Sequence, residues 1–199
     1  MAAKTDPALH VATRVAAGDT GASYGSVAKT LHWATVALVL IQFGLSQTWG
    51  LFARPTRHLM IVGHMSFGIL LGAAVVARIV WRLLPGHRVD AVAHGLAGVL
   101  ADAVHWLLYG MLLAEFALGV YLRWSGGEAM SFFGLHIAPA VTEISRAANH
   151  EIGEIHEKLG WAIVLTALGH AAAALYHHLV LRDAVLLRML PGRRVPPRA

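Results

Sequence analysis

The sequence contains no cysteine, and it has little charge. Asp, Glu, Lys and Arg together make up 14% of its 199 residues, against about 25% in a typical soluble domain. The missing cysteine excludes disulfide scaffolds, Cys-ligated zinc, iron–sulfur clusters and thiol catalysis. The low charge excludes an ordinary water-soluble surface. What is abundant instead is hydrophobic residues, 57% of the chain, and histidine, 13 in all. A formal net charge of +5 in so apolar a chain fits lipid headgroups as partner and argues against nucleic acid.

Four segments hold at most one charged residue. Leu31 to Phe52, Leu59 to Ala77 and Leu159 to Leu181 have none, and Ala103 to Leu122 has only Glu115. Each is about 20 residues, enough for a helix to cross roughly 30 Å of hydrocarbon. The sequence therefore predicts an all-α, integral membrane four-helix bundle. Short connections around Pro55 and Pro85-Gly86 separate the first three helices, and the longest link runs from about Trp124 to Asn149. Residues 1–23 form an N-terminal extension expected to be loosely ordered, 24–190 the membrane domain, and 191–199 a basic tail. No cleavable signal peptide is expected, and no internal repeat stands out.

Basic residues set the orientation. Lys4, Arg14, Lys29, Arg78, Arg82, Arg88, Arg182, Arg188, Arg193, Arg194 and Arg198 fall on one side, with Arg54, Arg57, Arg123, Arg146 and Lys158 on the other. Eleven against five places both termini in the cytoplasm. Trp33, Trp49, Trp81, Trp124 and Trp161 are expected at helix ends as interfacial anchors.

An ionisable side chain in hydrocarbon is costly and points to function. His32, His64, His105, His156, His170, His177 and His178 lie on the expected helices. His10, His58, His87, His94, His136 and His150 fall in tails, loops or interfaces and read as solvated. His156 and His170 are 14 residues apart, roughly 21 Å along a helix and within about 40° of the same face. Helix direction pairs His64 with His156 at one depth, and His32 with a later helix-4 His, either His170 or His177, at the other. Two facing imidazoles at each of two depths can hold two b-type haems with both axial positions filled. With no CxxCH motif, such haem is held by coordination and packing. Gly68 and Gly160 each follow a His by four residues, offering bare backbone on the same face; the competing reading is small-residue helix packing. Glu151, Glu154 and Glu157 read as favourable charge near the start of helix 4. A zinc-type site at His150, Glu154 and His156 lacks the metalloprotease spacing.

The segments Tyr24-Gly-Ser-Val-Ala-Lys-Thr-Leu-His-Trp33, Gly63-His-Met-Ser-Phe-Gly68, His156-Glu-Lys-Leu-Gly160 and Gly169-His-Ala-Ala-Ala-Ala-Leu-Tyr-His-His178 together resemble the bacterial cytochrome b561 family. That family shares its domain with the cytochrome b subunits of nickel–iron hydrogenases. The similarity runs from about Tyr24 to Arg194. It implies a multi-pass inner-membrane protein with two haem b groups, and its ligand positions match His32, His64, His156 and His170. Members exchange electrons with ubiquinone, and close relatives oxidise superoxide; by position, His105 and His177 would lie near the quinone and move its proton. Ile155 departs from the family, which often has Trp there, and the N-terminal extension is additional.

Three functions follow as expectations. The first is a di-haem oxidoreductase coupling an external one-electron donor, such as superoxide, to ubiquinone; the short loops favour it. The second is an electron-transfer subunit anchoring a hydrogenase or other dehydrogenase. The third is a His-lined metal transporter without haem. Arg54 and Arg57 could form a local positive mouth outside, although Glu128, Glu143, Glu151, Glu154 and Glu157 share that face. Glu115 either bonds a neighbouring helix or carries protons. Lys29, Arg78 and Arg82 are expected to mark the headgroup region, with haem propionates as the alternative.

Overall fold

A computed structural model describes residues 24–85 and 95–192. The N-terminal extension, His10, His87, His94, Arg88 and the tail from Arg193 lie outside the described residues. Four long helices account for most of the rest: α1 (Ser26–Thr48), α2 (Arg54–Leu83), α3 (Leu96–Ser125) and α4 (Arg146–Tyr176). A 3₁₀ turn, Trp49–Leu51, extends α1. A π-helical turn, His177–Leu181, extends α4 and leads to a short helix α5 (Val185–Met189).

All four long helices are long and apolar enough to cross a membrane. In hydrocarbon the backbone must satisfy its own hydrogen bonds, which a continuous helix does. Hydroxyls on these helices follow the same rule: Thr35, Ser66 and Thr166 donate to the carbonyls of Leu31, Val62 and Ala162, four residues back, at 2.7, 2.7 and 2.8 Å. Leucines such as Leu40, Leu59, Leu165 and Leu168 are exposed, as lipid-facing side chains must be.

The helices pack in chain order, α1 on α2, α2 on α3 and α3 on α4. α1 and α4 meet where the rings of Phe43 and Trp161 stand edge to face, 4.7 Å apart. The buried core is small: Leu71 and Val75 from α2, Tyr109 and Leu112 from α3, and Ile163 from α4. Chain direction sets this apolar belt between two histidine groups. His64 precedes Leu71 on α2, and on α4 His156 precedes Ile163 while His170 follows it.

Two local features differ from the sequence expectation. α4 begins at Arg146, capped by the Ser145 hydroxyl on the Ala148 N–H. Glu151, Glu154 and Glu157 are thus not in its first turn, and Glu154 pairs with Lys158 at 2.8 Å. For the same reason Trp161 lies mid-helix against Phe43 instead of at a helix end. The link before α4 also contains an antiparallel hairpin, β1 (Met130–Phe132) and β2 (Leu135–Ile137). Its turn residues Phe133 and Gly134 both have positive φ, 47° and 93°, as a tight two-residue hairpin turn requires. Fully buried Ser66 of α2 fixes this hairpin: its oxygen accepts the Phe133 N–H at 2.8 Å, and it lies 3.3 Å from the Ser131 carbonyl.

Candidate functional site

The histidines singled out by spacing divide between the two ends of the bundle. At one end His64 on α2 faces His156 on α4, with ring centroids 6.3 Å apart and planes at 85°. An imidazole nitrogen lies about 2 Å from a bound transition metal, so two rings on opposite sides of one ion have centroids roughly 6 Å apart. His64 and His156 stand at that spacing. Trp49 packs edge-on against His64, centroids 5.3 Å apart.

Beside this pair opens a cavity of about 720 Å³, within the roughly 300–1,000 Å³ of small-molecule and cofactor sites. Its wall includes Gln42, His64, Gly68, Glu115, Phe116, Gly119, His156 and Gly160. Four buried polar atoms on that wall make no hydrogen bond: Gln42 Oε1, His64 Nδ1, Glu115 Oε2 and His156 Nδ1. Each unpaired buried group costs about 1–3 kcal/mol, which suits a cavity built around a partly polar occupant. Glu115 Oε1 lies 3.2 Å from His156 Nδ1, within reach of charge attraction but out of line for a hydrogen bond.

Bare backbone is used where the wall is tightest. A Cβ at Gly68 would meet Gln42 Nε2 at 2.8 Å, one at Gly160 would meet Glu115 Oε1 at 3.2 Å, and one at Gly119 would meet His156 Cε1 at 3.1 Å. The His-then-Gly spacing identifies Gly68 and Gly160. Gly72 does something different: a Cβ there would meet the Phe116 ring at 3.0 Å.

At the other end, all four long helices contribute. His105 of α3 and His170 of α4 are in ring contact, centroids 5.1 Å apart. His32 of α1 is close enough to interact electrostatically with both. Arg78 of α2 places Nη2 3.1 Å from His32 Nδ1. Arg78 also lies over the Tyr109 ring, 5.2 Å from its centroid. Arg82 bonds Asp102 at 2.6 Å and lies over Trp106. Both arginines are thus engaged by protein groups. Lys29 is buried.

His177 is placed by the π-helical turn. Its Nδ1 lies 2.5 Å from Asp183 Oδ2, while Asp183 Oδ1 accepts the Val185 N–H at 3.0 Å and so starts α5. α5 ends at Met189, whose carbonyl accepts the Trp33 indole N–H at 2.9 Å. His105 and His177 thus engage different partners. His58, His136 and His150 are exposed. Among the described residues, no group of three or more His, Asp or Glu side chains is arranged to hold a metal ion.

Gly119, Ser66 and Asp183 were not identified from the sequence. Gly119 belongs to a helix whose own residue four places back is Glu115, so the His-then-Gly spacing has nothing to register there.

Comparison with known proteins decides what such a bundle belongs to. The model of the prokaryotic cytochrome b561 family matches residues 23–192. The chain belongs to that family. It is 31% identical over 173 residues to cytochrome b561 homolog 1 of Escherichia coli (strain K12), covering 82% of this chain and 94% of that one. It is 29% identical over 171 residues to cytochrome b561 homolog 2 of the same organism, covering 84% and 90%. A protein named probable superoxide oxidase CybB, from Yersinia pestis, is 28% identical over 172 residues, covering 86% and 97%. As a cytochrome b561, the chain is a multi-pass inner-membrane protein of electron transport, and membership implies haem b.

Proposed function

We propose that this cytochrome b561 binds two haem b groups in residues 24–190 and passes electrons across the membrane to or from ubiquinone, with both termini in the cytoplasm. The observation that carries the reading is the pair of imidazole groups at opposite ends of one bundle, separated by the Leu71, Val75 and Ile163 belt. His64 and His156 would hold the haem nearer the non-cytoplasmic face. His32 and His170 would hold the one nearer the cytoplasm.

The fit at the first end rests on the ring spacing, the cavity, its unpaired Nδ1 atoms and its bare glycine wall. When bound with two His ligands, haem iron supplies one-electron oxidation and reduction with no open coordination position. The chain's own residues do the rest. Leucines exposed to lipid and the apolar belt keep water out of the interior. His105, in contact with His170, and His177, held by Asp183, would move the proton that quinone reduction requires, since an imidazole offers one nitrogen that donates and one that accepts. For the external donor we infer a small one-electron reductant such as superoxide; the name of the Yersinia relative supports this.

The test is a reduced-minus-oxidised spectrum with haem quantitation on the purified protein. Two haems per chain are expected, with His64→Ala and His156→Ala removing one and His32→Ala and His170→Ala the other. His105→Ala and His177→Ala should keep both while slowing reoxidation by quinone. One haem per chain, or a haem lost in His177→Ala and kept in His170→Ala, would overturn the assignment.

A further inference from the structure

Glu115 sits in the membrane-spanning part of α3, where a carboxyl group is costly unless it has a use. Its side chain is 19% exposed. Its two oxygens have different surroundings. Oε1 lies 3.2 Å from His156 Nδ1, and Oε2 is buried on the cavity wall with no hydrogen bond.

The backbone around the pair is stripped bare on both sides. A side chain at Gly160 would strike Glu115 Oε1, and one at Gly119 would strike the His156 ring. The two bare glycines thus let the carboxyl group and the imidazole lie close together between α3 and α4. The facing His64 has Trp49 against its ring, and its Nδ1 makes no hydrogen bond.

We propose that Glu115 is a positioning residue for His156: its Oε1, 3.2 Å from Nδ1, takes up that nitrogen's hydrogen when the ring turns into line on binding haem, which fixes the ring and leaves Nε2 to face iron. This rests on the reading of His64 and His156 as haem ligands. A carboxylate behind a ligating imidazole raises the basicity of the ligand and is a lever on redox potential. A more basic ligand favours the oxidised iron, so Glu115 lowers the reduction potential at this end of the bundle and leaves the other end unchanged.

The experiment compares Glu115→Gln and Glu115→Leu with the unaltered protein, all loaded with haem. Haem per chain, both midpoint potentials and the electron paramagnetic resonance of each centre are read, with His64→Ala identifying the centre. In Glu115→Leu the reduced-to-oxidised ratio of the His64–His156 centre at a fixed poise should rise about tenfold, equivalent to about 59 mV for one electron. The other centre should not move, and Glu115→Gln, which keeps a weaker acceptor, should fall between. Unchanged midpoints, or equal shifts at both centres, would overturn the proposal. Should Glu115→Leu lose the haem at this end, Glu115→Gln decides: a raised midpoint supports the proposal and an unmoved one overturns it. Absence of haem from the unaltered protein would sink the ligand reading itself, an outcome distinct from haem bound at unshifted potentials.

Discussion

Gly119 of α3 lies directly against His156 of α4, so that a Cβ there would stand 3.1 Å from the ring's Cε1. Helix propensity alone would favour replacing this glycine, because Ala is better than Gly in a helix interior by about 1 kcal/mol. The contact reverses that preference for any larger side chain. Gly119→Val is expected to leave helix content unchanged by circular dichroism and to remove close to half of the bound haem. Full haem retention in Gly119→Val would show that the His156 ring does not have to stay where it is.

Ser66 makes a separable prediction. It is fully buried, and its oxygen accepts the Phe133 N–H of the hairpin turn. Ser66→Ala leaves that N–H without its partner, at a cost of about 1–3 kcal/mol. Cleavage of residues 130–137 by added protease should accelerate, while His64, two positions away, keeps its haem band. Equal protection in both proteins would mean the hairpin is held by other contacts.

The helices and the ligand candidates were legible in the sequence; what holds them in place was not. Charge-free stretches predict four spans, and helix direction with His spacing predicts that His64 meets His156. Those signals are local or periodic. The short strands around Phe133 and Gly134 carry no alternating pattern long enough to read. Asp183 lies beyond the expected end of helix 4 and acquires meaning when the π-helical turn brings it to His177. Gly119 and Glu115 matter through contacts between helices, which spacing within one helix cannot report. The contact of His170 with His105 and the bond of His177 to Asp183 are also of this kind.

Asp183 is expected to act through His177. With Nδ1 held by the carboxylate, the ring keeps one orientation and presents Nε2 to its surroundings. Asp183→Asn should slow quinone reoxidation by roughly tenfold or more, the usual scale for losing such an outer partner. Both haem bands should remain, and Asp183→Glu should recover part of the rate. An unaffected reoxidation rate in Asp183→Asn would remove His177 from the proton step.

Arg78 should act on potential with the opposite sign to Glu115, and at the opposite end. Its guanidinium reaches His32 Nδ1 at 3.1 Å and rests on the Tyr109 ring. A positive charge beside a haem ligand disfavours the oxidised, more positive iron, so removing it lowers the midpoint of the His32–His170 centre. A unit charge about 10 Å away at an effective dielectric of about 20 is worth about 1.7 kcal/mol, or about 70 mV for one electron. Arg82 supplies the control, because Asp102 at 2.6 Å offsets its charge. Redox titration of Arg78→Leu should show one midpoint falling by about that amount and the His64–His156 midpoint unmoved, while Arg82→Leu shifts less. A larger shift in Arg82→Leu than in Arg78→Leu would mean that Arg78 is not the charge setting this centre.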